Sequence, residues 1–549
     1  MTYTVCDYLL QRLKSLGVDH VFGIPGDYIL PFFEHMVHSD ITHIATCNEL
    51  NAGYAADGYA RLRGLGAVAV TYGPGSLSVV NAAAGAFAER VPLVIISGGP
   101  PVAAYRTMPV MHHLLPGKFD ASLKVFEQVT AHAKLLDDPA QATVAIDQAL
   151  AVCLSQHRPV YLEIPQDVQS QPCEAPRDTL FPRGTGSDAA ALAAAVALLA
   201  DRITAGQRTI ILPGHEIHRA GIESAVTALV DKTGLPVASM FIGKADFLEQ
   251  HRHCIGAYQG AGSPEDVRSF VEDADTVVFL GCVPSDFNLG GFTARLSDEQ
   301  VIYALDNQVR SGAQVFDQVS LGDLVNGLLA ALPAGAGTSP DAPVQAFSHT
   351  ASKPYQAQSE QPLSNQRLYD RLAHFLQPGD VVLADAGCAI NATHLQLPAH
   401  AQYIASCYWA SIGMAFGASL GACFAVKPEQ RVIALEGDGS IQMTAQELSS
   451  MVRYGQTPII FVVNNQGYTA ERLIHDGPFN DIAAWQYHQL PAVFGGIVGE
   501  DVHTEGDLEH ALLRASQHQG PGPLVVEVHI DRWDASAAFR LMSEALRSR

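Results

Sequence analysis

Side chains suited to hold a metal ion follow two apolar segments in the last third of the chain. The run 432–435 ends at a Gly-Asp-Gly-Ser sequence that contains Asp438, and the run 459–463 ends at an Asn-Asn pair that contains Asn465. Carboxylate and amide oxygens are ligands that Mg²⁺ prefers, and phosphate oxygens should complete a shell with so little protein charge. Either fragment alone is more often a plain turn or a strand end, and the combination of both at this spacing between two buried strands is much more specific.

The elements that must position these two side chains are a strand, a tight turn and a helix before the next strand. A strand, helix and strand in this order form a right-handed crossover, so both strand ends lie at the same sheet edge. The sequence from Thr444 to Glu447 has the form of a capping box, and we expect a helix from there to about Tyr454, ended by Gly455 and Pro458. Amide groups at the helix N-terminus would favour an anion at this edge.

The composition excludes several classes of protein. The chain has 549 residues, of which 48% are hydrophobic and 16% charged, and its formal net charge is −23. These values predict about three or four domains with large buried cores. The acidic balance argues against nucleic acid and anionic membranes as partners.

Cysteine spacing and the apolar stretches indicate where the protein resides. The nine cysteines include no Cys-x-x-Cys pair, which favours a reducing compartment, and no secretory signal is predicted. The uncharged stretches 64–88 and 403–426 are long enough to span a bilayer. Because turn residues interrupt both, we interpret them as buried units of parallel sheets and expect a soluble cytoplasmic protein.

Short apolar runs alternate with helical patterns along the chain, which is typical of α/β folds. We predict three parallel-sheet α/β domains, at 1–170, 188–332 and 364–549, joined by linkers at 169–187 and 331–362 that are rich in Pro, Gly and polar residues. The Rossmann-like middle domain has no Gly-x-Gly-x-x-Gly after a strand. The predicted strands are VFGI, ITHIAT, AVAVTY, LVIISG and VYLEI in the first domain and 209–212, 276–280 and 301–305 in the second.

Through the GDG sequence, the NN pair at this separation and the three-domain layout, the chain resembles the thiamine-diphosphate-dependent 2-oxo acid decarboxylases over nearly its whole length. The resemblance implies thiamine diphosphate and Mg²⁺ as cofactors, with a pyrimidine-binding first domain and a diphosphate-binding third domain. It implies that Asp438, the Asn465 side chain and the Gly467 carbonyl bind the metal. The other cofactor-binding positions that it implies are Gly439, Ser440, Tyr468, Thr469 and Ile412, the last being the apolar residue that holds the cofactor in a V shape.

Five further residues match positions that perform acid–base chemistry in the decarboxylase branch. On general grounds Glu49 could be a helix-terminal acid, Asp27 a turn residue, His112 and His113 a solvated pair, and Glu471 a helix cap. The resemblance implies instead that Glu49 hydrogen-bonds the aminopyrimidine ring and promotes formation of the nucleophilic carbon. It assigns Asp27, His112 and His113 to proton transfer after CO₂ has left, and it places Glu471 beside the reacting carbon.

The positions that match the substrate pocket differ from those of pyruvate decarboxylases. Ile390 stands where those enzymes have Trp, Ala470 where they have Ile, and Phe287 where they have Tyr. The first two changes remove bulk, so we expect a wider pocket. The expected substrates are aromatic or long-chain 2-oxo acids such as phenylpyruvate, indolepyruvate or branched 2-oxo acids.

The leading interpretation is a non-oxidative decarboxylase that converts a 2-oxo acid to an aldehyde and CO₂. A carboligase of the acetolactate synthase type is the alternative, although the His112-His113 pair favours protonation of the product carbon. A non-catalytic relative that acts as a binding subunit is a third hypothesis, weakened because every required residue is present. The resemblance also implies a homodimer whose sites combine Glu49 of one chain with Asp438 of another, assembled into a homotetramer.

Overall fold

Three large sheets organise the chain. The computed structural model describes residues 3–176, 186–406 and 408–548. The chain divides into two compact units. The first unit comprises Met1–Thr185, Met414–Lys427 and Thr444–Gln456, and the second comprises Gly186–Gly413, Pro428–Met443 and Thr457–Arg549.

The first unit contains a six-stranded sheet in which all neighbouring strands are parallel. The central strands Gly66–Val70 and Leu93–Gly99 are buried at every position, as expected for a parallel sheet covered on both faces. A two-stranded antiparallel pair joins Tyr3–Thr4 to Pro172–Cys173. In spatial order the six strands are Thr42–Ala45, His20–Gly23, Gly66–Val70, Leu93–Gly99, Val160–Pro165 and His132–Leu135.

The helices of the first unit pack apolar faces into its core. The first helix begins at a capping box in which Thr4 and Asp7 satisfy each other's backbone N–H groups. The α-helices are Val5–Ser15, Leu30–Val37, Glu49–Arg63, Pro74–Ser78, Val80–Ala88, Val102–Thr107, Ala121–Val129, Pro139–Gln156, Gln166–Gln169, Met414–Ala425 and Leu448–Arg453, with 3₁₀ turns at Asp27–Ile29 and Ala445–Glu447.

The second unit contains two sheets. One has seven strands, of which the first five are parallel and the last two form an antiparallel hairpin at the edge. In spatial order its strands are Cys254–Ala257, Val237–Ser239, Thr209–Pro213, Thr276–Leu280, Val301–Leu305, Gln308–Ser311 and Gln314–Asp317. The order, 3-2-1-4-5 before the hairpin, is that of a Rossmann-like sheet.

The other sheet of the second unit has six parallel strands. Its order, 2-1-3-4-6-5 in chain sequence, is the same as that of the sheet in the first unit. Because the strands are parallel, their carboxyl ends meet at one edge, where ligands of open α/β sheets bind. In spatial order the strands are Gln402–Ala405, Val381–Ala384, Val432–Gly437, Ile459–Asn464, Leu524–His529 and Glu500–Val502.

The helices of the second unit flank both sheets. The α-helices are Ala189–Ala205, Glu216–Ala220, Glu223–Thr233, Glu265–Glu272, Leu321–Ala331, Asn365–Phe375, Ala386–Thr393, Asp438–Ile441, Thr469–Ile474, Leu490–Val493, Glu505–Ser516 and Ala537–Arg547, with 3₁₀ turns at Asp246–Leu248, Pro478–Asn480 and Tyr487–Gln489.

The predicted α/β fold class, with three sheets built mainly from parallel strands, is confirmed. The domain boundaries 1–170, 188–332 and 364–549 stay a prediction. The segment 169–187 is not wholly a linker, since Pro172–Cys173 pairs with the first strand, and 177–185 lie outside the described residues. Among the described residues, no helix is long and apolar enough to cross a membrane.

The capping box predicted at Thr444 is wrong. Thr444 makes no side-chain cap hydrogen bond, and the helical segment begins as the 3₁₀ turn Ala445–Glu447 before the α-helix Leu448–Arg453. The Glu447 carboxylate instead accepts hydrogen bonds from the Asn51 side chain and the Cys47 backbone N–H. The tight turn predicted at the GDG sequence is instead the first turn of the short helix Asp438–Ile441.

Candidate active site

Asp438 lies at the carboxyl end of strand Val432–Gly437, and its carboxylate is held by backbone donors. The N–H of Gly439 donates to Oδ1 at 2.8 Å and that of Gly467 donates to Oδ2 at 2.9 Å. Asp438 is 2% exposed. Burial raises the pKa of this carboxyl to about 6, although the backbone N–H groups oppose the shift. A buried carboxylate that ionises reluctantly by itself gains most from a bound cation.

The surroundings of Asn465 fit a cation. Its Oδ1 lies 2.8 Å from the Gly467 carbonyl oxygen and 3.3 Å from Asp438 Oδ1, so three oxygen atoms converge without a hydrogen between them. In an octahedral Mg²⁺ shell, adjacent oxygens are about 3.0 Å apart. The amide nitrogen lies 2.9 Å from Thr469 Oγ1, whose own proton goes to the Arg532 carbonyl at 3.0 Å. The Thr469 hydroxyl can therefore accept from Asn465 and hold its oxygen toward the other two.

The remaining predicted cofactor residues of this edge adjoin these ligands. Ser440 is buried in the same short helix as Asp438. Gly439 lets the ring of Tyr468 lie close to this turn, since a Cβ at 439 would come within 2.3 Å of the ring and displace it. The structure thus brings together the predicted metal and diphosphate residues of this unit: Asp438, Gly439, Ser440, Asn465, Gly467, Tyr468 and Thr469.

The predicted pocket residues belong to one hydrophobic cluster of the second unit. Ile390 is a buried member on helix Ala386–Thr393, while Phe287 and Ala470 pack against the cluster and are partly exposed. Phe287 stacks on Phe241, with ring centroids 5.5 Å apart. The cluster therefore offers an apolar wall, formed at the three predicted positions by Ile390, Ala470 and Phe287.

Two other predicted residues flank this region. Ile412 is partly buried next to Gly413, whose N–H donates at 2.9 Å to Asp385, the N-cap residue of the helix that carries Ile390. Glu471 lies in the first turn of helix Thr469–Ile474 and is exposed. An exposed acid at this position is accessible to a ligand at the strand ends.

In the first unit, Asp27, His112 and His113 form one cluster. His112 Nε2 lies 2.6 Å from Asp27 Oδ2, and His113 Nδ1 lies 3.8 Å from Asp27 Oδ1. The rings of Tyr28 and His112 stack at 5.2 Å. Gly73 permits the approach of the histidine loop, since a Cβ there would lie 2.2 Å from the His113 carbonyl oxygen. The pair predicted from sequence is thus linked to the predicted aspartate.

Glu49 is the first residue of helix Glu49–Arg63, and Asn48 caps this helix. Both flanks of Glu49 are tied to Glu447, which accepts from the Cys47 N–H at 3.2 Å and from Asn51 Nδ2 at 2.7 Å. Burial raises the pKa of the Glu447 carboxyl, and its hydrogen bonds to Ser450, Asn51 and Cys47 oppose this rise. Glu447 therefore positions the segment that carries Glu49, a role that the sequence analysis missed.

Two more residues at the second-unit edge were missed from sequence. Tyr487 donates from its hydroxyl to the Asp438 carbonyl at 3.2 Å and accepts from Gln442 at 2.8 Å. Glu436 is fully buried, and neither of its side-chain oxygens has a hydrogen-bond partner among the described residues. Burial, and then the nearby Asp385 carboxylate, raise its pKa well above the ordinary value. The signal for Glu436 was an acidic residue inside an otherwise apolar strand.

Comparison with protein families finds three matches in chain order. Residues 3–123 match the N-terminal TPP binding domain of thiamine pyrophosphate enzymes, 196–325 match their central domain, and 385–528 match their C-terminal TPP binding domain. These matches include the segments that carry Asp27, Glu49, Asp438 and Asn465.

Individual relatives cover nearly the whole chain. A protein of Mycolicibacterium paratuberculosis named alpha-keto-acid decarboxylase is 38% identical over 554 residues, which cover 99% of this chain and 96% of that protein. The protein of the same name from Mycobacterium tuberculosis is 39% identical over 543 residues, covering 96% and 95%. Similarity of this extent defines a family.

Proposed function

The chain belongs to the thiamine-diphosphate-dependent 2-oxo acid decarboxylases, and on this premise we propose that it converts aromatic or long-chain 2-oxo acids to an aldehyde and CO₂ with Mg²⁺ and thiamine diphosphate. The observation that carries the reaction type is the Asp27–His112–His113 cluster. It supplies a proton-transfer group that a decarboxylase needs once CO₂ has left.

Asp438, Asn465 and the Gly467 carbonyl would hold Mg²⁺, because their three oxygens already converge. When bound, thiamine diphosphate supplies a nucleophilic carbon and an electron sink for the bond that breaks. Gly439, Ser440, Tyr468 and Thr469 would contact its diphosphate, and Ile412 its central part. The metal would neutralise Asp438, which burial makes costly to ionise alone.

Glu49 would hydrogen-bond the aminopyrimidine ring of the cofactor. Its segment is tied to Glu447 on both sides, so the backbone that carries its carboxylate is held in place. A preorganised carboxylate needs little rearrangement when the ring arrives. Glu447 acts on the reaction only through Glu49 and is a positioning residue.

The histidine cluster would return a proton to the carbon that has lost CO₂. Asp27 Oδ2 and His112 Nε2 are close enough to share a proton. His113 Nδ1 faces the same carboxylate at 3.8 Å, so its Nε2 can face a substrate. Glu471, exposed at the strand ends, is the second acid of this scheme. A carboligase would have to retain the electron pair for a second carbonyl compound, and a proton donor works against that.

The substrate preference rests on Ile390, Ala470 and Phe287. They line an apolar cluster, and two of them are smaller than the side chains that pyruvate-specific relatives place there. Each additional substrate methylene that packs against such a wall contributes about 1–3 kcal/mol to discrimination between two substrates. We therefore infer a preference for phenylpyruvate, indolepyruvate or branched 2-oxo acids over pyruvate.

We further infer that two chains build each site and that the protein works as a homodimer or as a homotetramer of such dimers. This inference rests on the resemblance to the thiamine-diphosphate-dependent decarboxylases. Cofactor binding would then be linked to association, so dilution and removal of Mg²⁺ should weaken both.

The test is a substrate panel assayed by coupled reduction of the aldehyde product, with product analysis by chromatography. We expect the highest kcat/KM for an aromatic or branched 2-oxo acid, loss of activity on chelation and recovery with Mg²⁺. Pyruvate as the best substrate would contradict the preference. Acetolactate as the main product from pyruvate would show that the protein is a carboligase.

A further inference from the structure

A group of histidine and acidic side chains lies at the carboxyl ends of the last two strands in the spatial order of the same sheet. Strands Glu500–Val502 and Leu524–His529 are parallel neighbours, and Asp501 pairs with Glu527 in their register. Alternate residues of a strand share a face, so the residues two further on, His503 and His529, lie beside each other as well. Their rings stack with centroids 4.0 Å apart and planes within 5°.

The nitrogen atoms of these histidines converge on one carboxylate. His529 Nε2 lies 2.7 Å and His503 Nε2 lies 3.3 Å from Asp501 Oδ1. The ligand atoms of these three residues lie within 4.8 Å of one another. Ligands of a tetrahedral zinc ion with bonds of about 2.0–2.1 Å are separated by about 3.3 Å. The observed separations lie in the range of such a site, and the two parallel rings must rotate out of their stack for both Nε2 atoms to point at one ion.

His488 and Glu527 form a further contact next to these three residues. His488 Nδ1 lies 2.6 Å from Glu527 Oε2 and 3.9 Å from Asp501 Oδ1. Glu527 is nearly buried and also accepts from Asn464 Nδ2 at 2.6 Å, so it is fixed in place. Its Oε2 also accepts from the His488 backbone N–H at 3.1 Å, and its Oε1 lies 3.6 Å from His529 Nε2. Glu527 therefore places a second carboxylate next to the nitrogen atoms of the cluster.

The cluster is accessible from a cavity of about 390 Å³. The cavity is lined by all five cluster residues (His488, Asp501, His503, Glu527 and His529) and extends to Asp438 and Tyr487. Exposure falls from 57% for the His503 side chain to 2% for that of Glu527. One side of the cluster is thus open to solutes while the other is rigid.

The charges of the cluster favour a cation. Partial burial acts to raise the pKa of Asp501, but the hydrogen bond from His529 and the three histidines hold it below its ordinary value. Asp501 and Glu527 contribute two carboxylates to the cluster, and a cation bound between them would interact favourably with both. A divalent ion balances the charge and uses the nitrogen lone pairs.

We propose that Asp501, His503 and His529 bind a divalent transition metal such as Zn²⁺, with a fourth position open to the cavity. This site is distinct from the oxygen-only site of Asp438, because imidazole ligands select zinc-like ions whereas carboxylate and carbonyl oxygens suit Mg²⁺. Glu527 and His488 lie beside these ligands. The ion would also link strand Leu524–His529 to the segment that follows the edge strand Glu500–Val502.

The test uses full-length protein without an affinity tag, stripped of metals and supplied with excess Mg²⁺ but no thiamine diphosphate. Titration with Co²⁺ should produce visible absorption bands of a four- or five-coordinate ion, saturating at one equivalent and lost on addition of Zn²⁺. Asp501→Asn and His529→Gln should each weaken Co²⁺ binding by more than about 10-fold, the minimum seen for lost outer partners. His510→Gln, an exposed histidine of the neighbouring helix, should bind as the parent does.

Two further variants separate this site from folding and from the magnesium site. His503→Gln alters the most exposed ligand, so it should lose Co²⁺ without any change in circular dichroism. Asp438→Asn should retain the Co²⁺ bands. The proposal is overturned if the parent shows no saturable bands, or if the ligand variants bind Co²⁺ as tightly as His510→Gln.

Discussion

The backbone N–H of Gly467 donates to Asp438 Oδ2 at 2.9 Å, which ties the turn after one strand to the end of its neighbour. The carboxylate is therefore oriented before any metal arrives. This preorganisation has a cost, since burial raises the pKa of Asp438 to about 6 and makes the ionised form unfavourable in the metal-free protein.

Asp438→Asn should stabilise the metal-free protein while abolishing Mg²⁺-dependent cofactor binding. The folded-state pKa lies above the ordinary value, so the cost of ionisation is absent below about pH 4, grows as pH rises and is complete above about pH 6. We expect the free energy of unfolding to increase by about 1–3 kcal/mol near neutral pH and to change little near pH 4. Urea unfolding with a chelator present measures this.

The control for that experiment is Asp476→Asn, which alters an exposed aspartate of the same unit. It should change neither stability nor cofactor binding. If Asp438→Asn destabilises the metal-free protein equally at both pH values, the burial cost is not the controlling effect.

His113→Asn should lower turnover by about 10²- to 10⁴-fold, the usual contribution of a proton-transfer group, and should alter the pH profile. Asparagine is the suitable replacement because His113 has a φ of 64°, a left-handed conformation that asparagine tolerates. Cofactor affinity, measured by fluorescence titration with Mg²⁺ present, should be unchanged. His38→Asn, at an exposed position in the same unit, is the control. Unchanged turnover in His113→Asn would remove it from the mechanism.

Buried strands of both sheets in the second unit could be predicted because they are apolar runs that end at turn residues. Thr276–Leu280 and Val301–Leu305 match the prediction at both ends, and the strand Ile459–Asn464 differs by one residue. His132–Leu135 was missed, since it is a partly exposed edge strand with little apolar character. The hairpin Gln308–Ser311 with Gln314–Asp317 was missed for the same reason.

Contacts between distant segments were beyond the sequence patterns. Glu447 looked like a local cap, yet it binds Asn51, 396 positions away. The proximity of Asp501 and His503 to Glu527 and His529 depends on the register of two strands, which the sequence patterns do not define. The Asp27–His112 contact was anticipated solely through the family resemblance, because nothing in the intervening sequence fixes the loop that carries His112.

Ala470→Ile should reduce kcat/KM for phenylpyruvate relative to pyruvate by at least about 10-fold, because it returns bulk to the apolar wall. Ala470 is only partly buried, so the larger side chain can be accommodated without overpacking the core. Both substrates are assayed with the same coupled enzyme. Leu473→Ile, which conserves volume on the same helix, should leave the ratio unchanged. An unaltered ratio in Ala470→Ile would place the substrate elsewhere.

Mixed dimers should recover activity if two chains build each site. Glu49→Gln and Asp438→Asn should each be inactive, and subunit exchange between them should create sites in which both residues are intact. We expect up to about one quarter of parental activity from random pairing of equal amounts with two sites per dimer. Native mass spectrometry monitors exchange. Complete exchange without recovered activity would contradict the shared site.

Lys244→Met should strongly destabilise the second unit. Lys244 and Glu249 form an ion pair in which both side chains are fully buried, and Lys244 also donates to the carbonyls of Thr393 and Leu395 at 3.0 and 2.8 Å. Removing the cation leaves Glu249 buried without its counter-charge, which costs about 3–5 kcal/mol.

The double variant Lys244→Met, Glu249→Gln should recover part of that loss, because the uncompensated charge is gone. Urea unfolding of the parent, Lys244→Met, Glu249→Gln and the double variant gives the coupling energy. Lys124→Met, which breaks the exposed pair with Asp120, should leave unfolding unchanged. Equal stability of Lys244→Met and the double variant would show that the lost carbonyl contacts, not the unpaired charge, account for the effect.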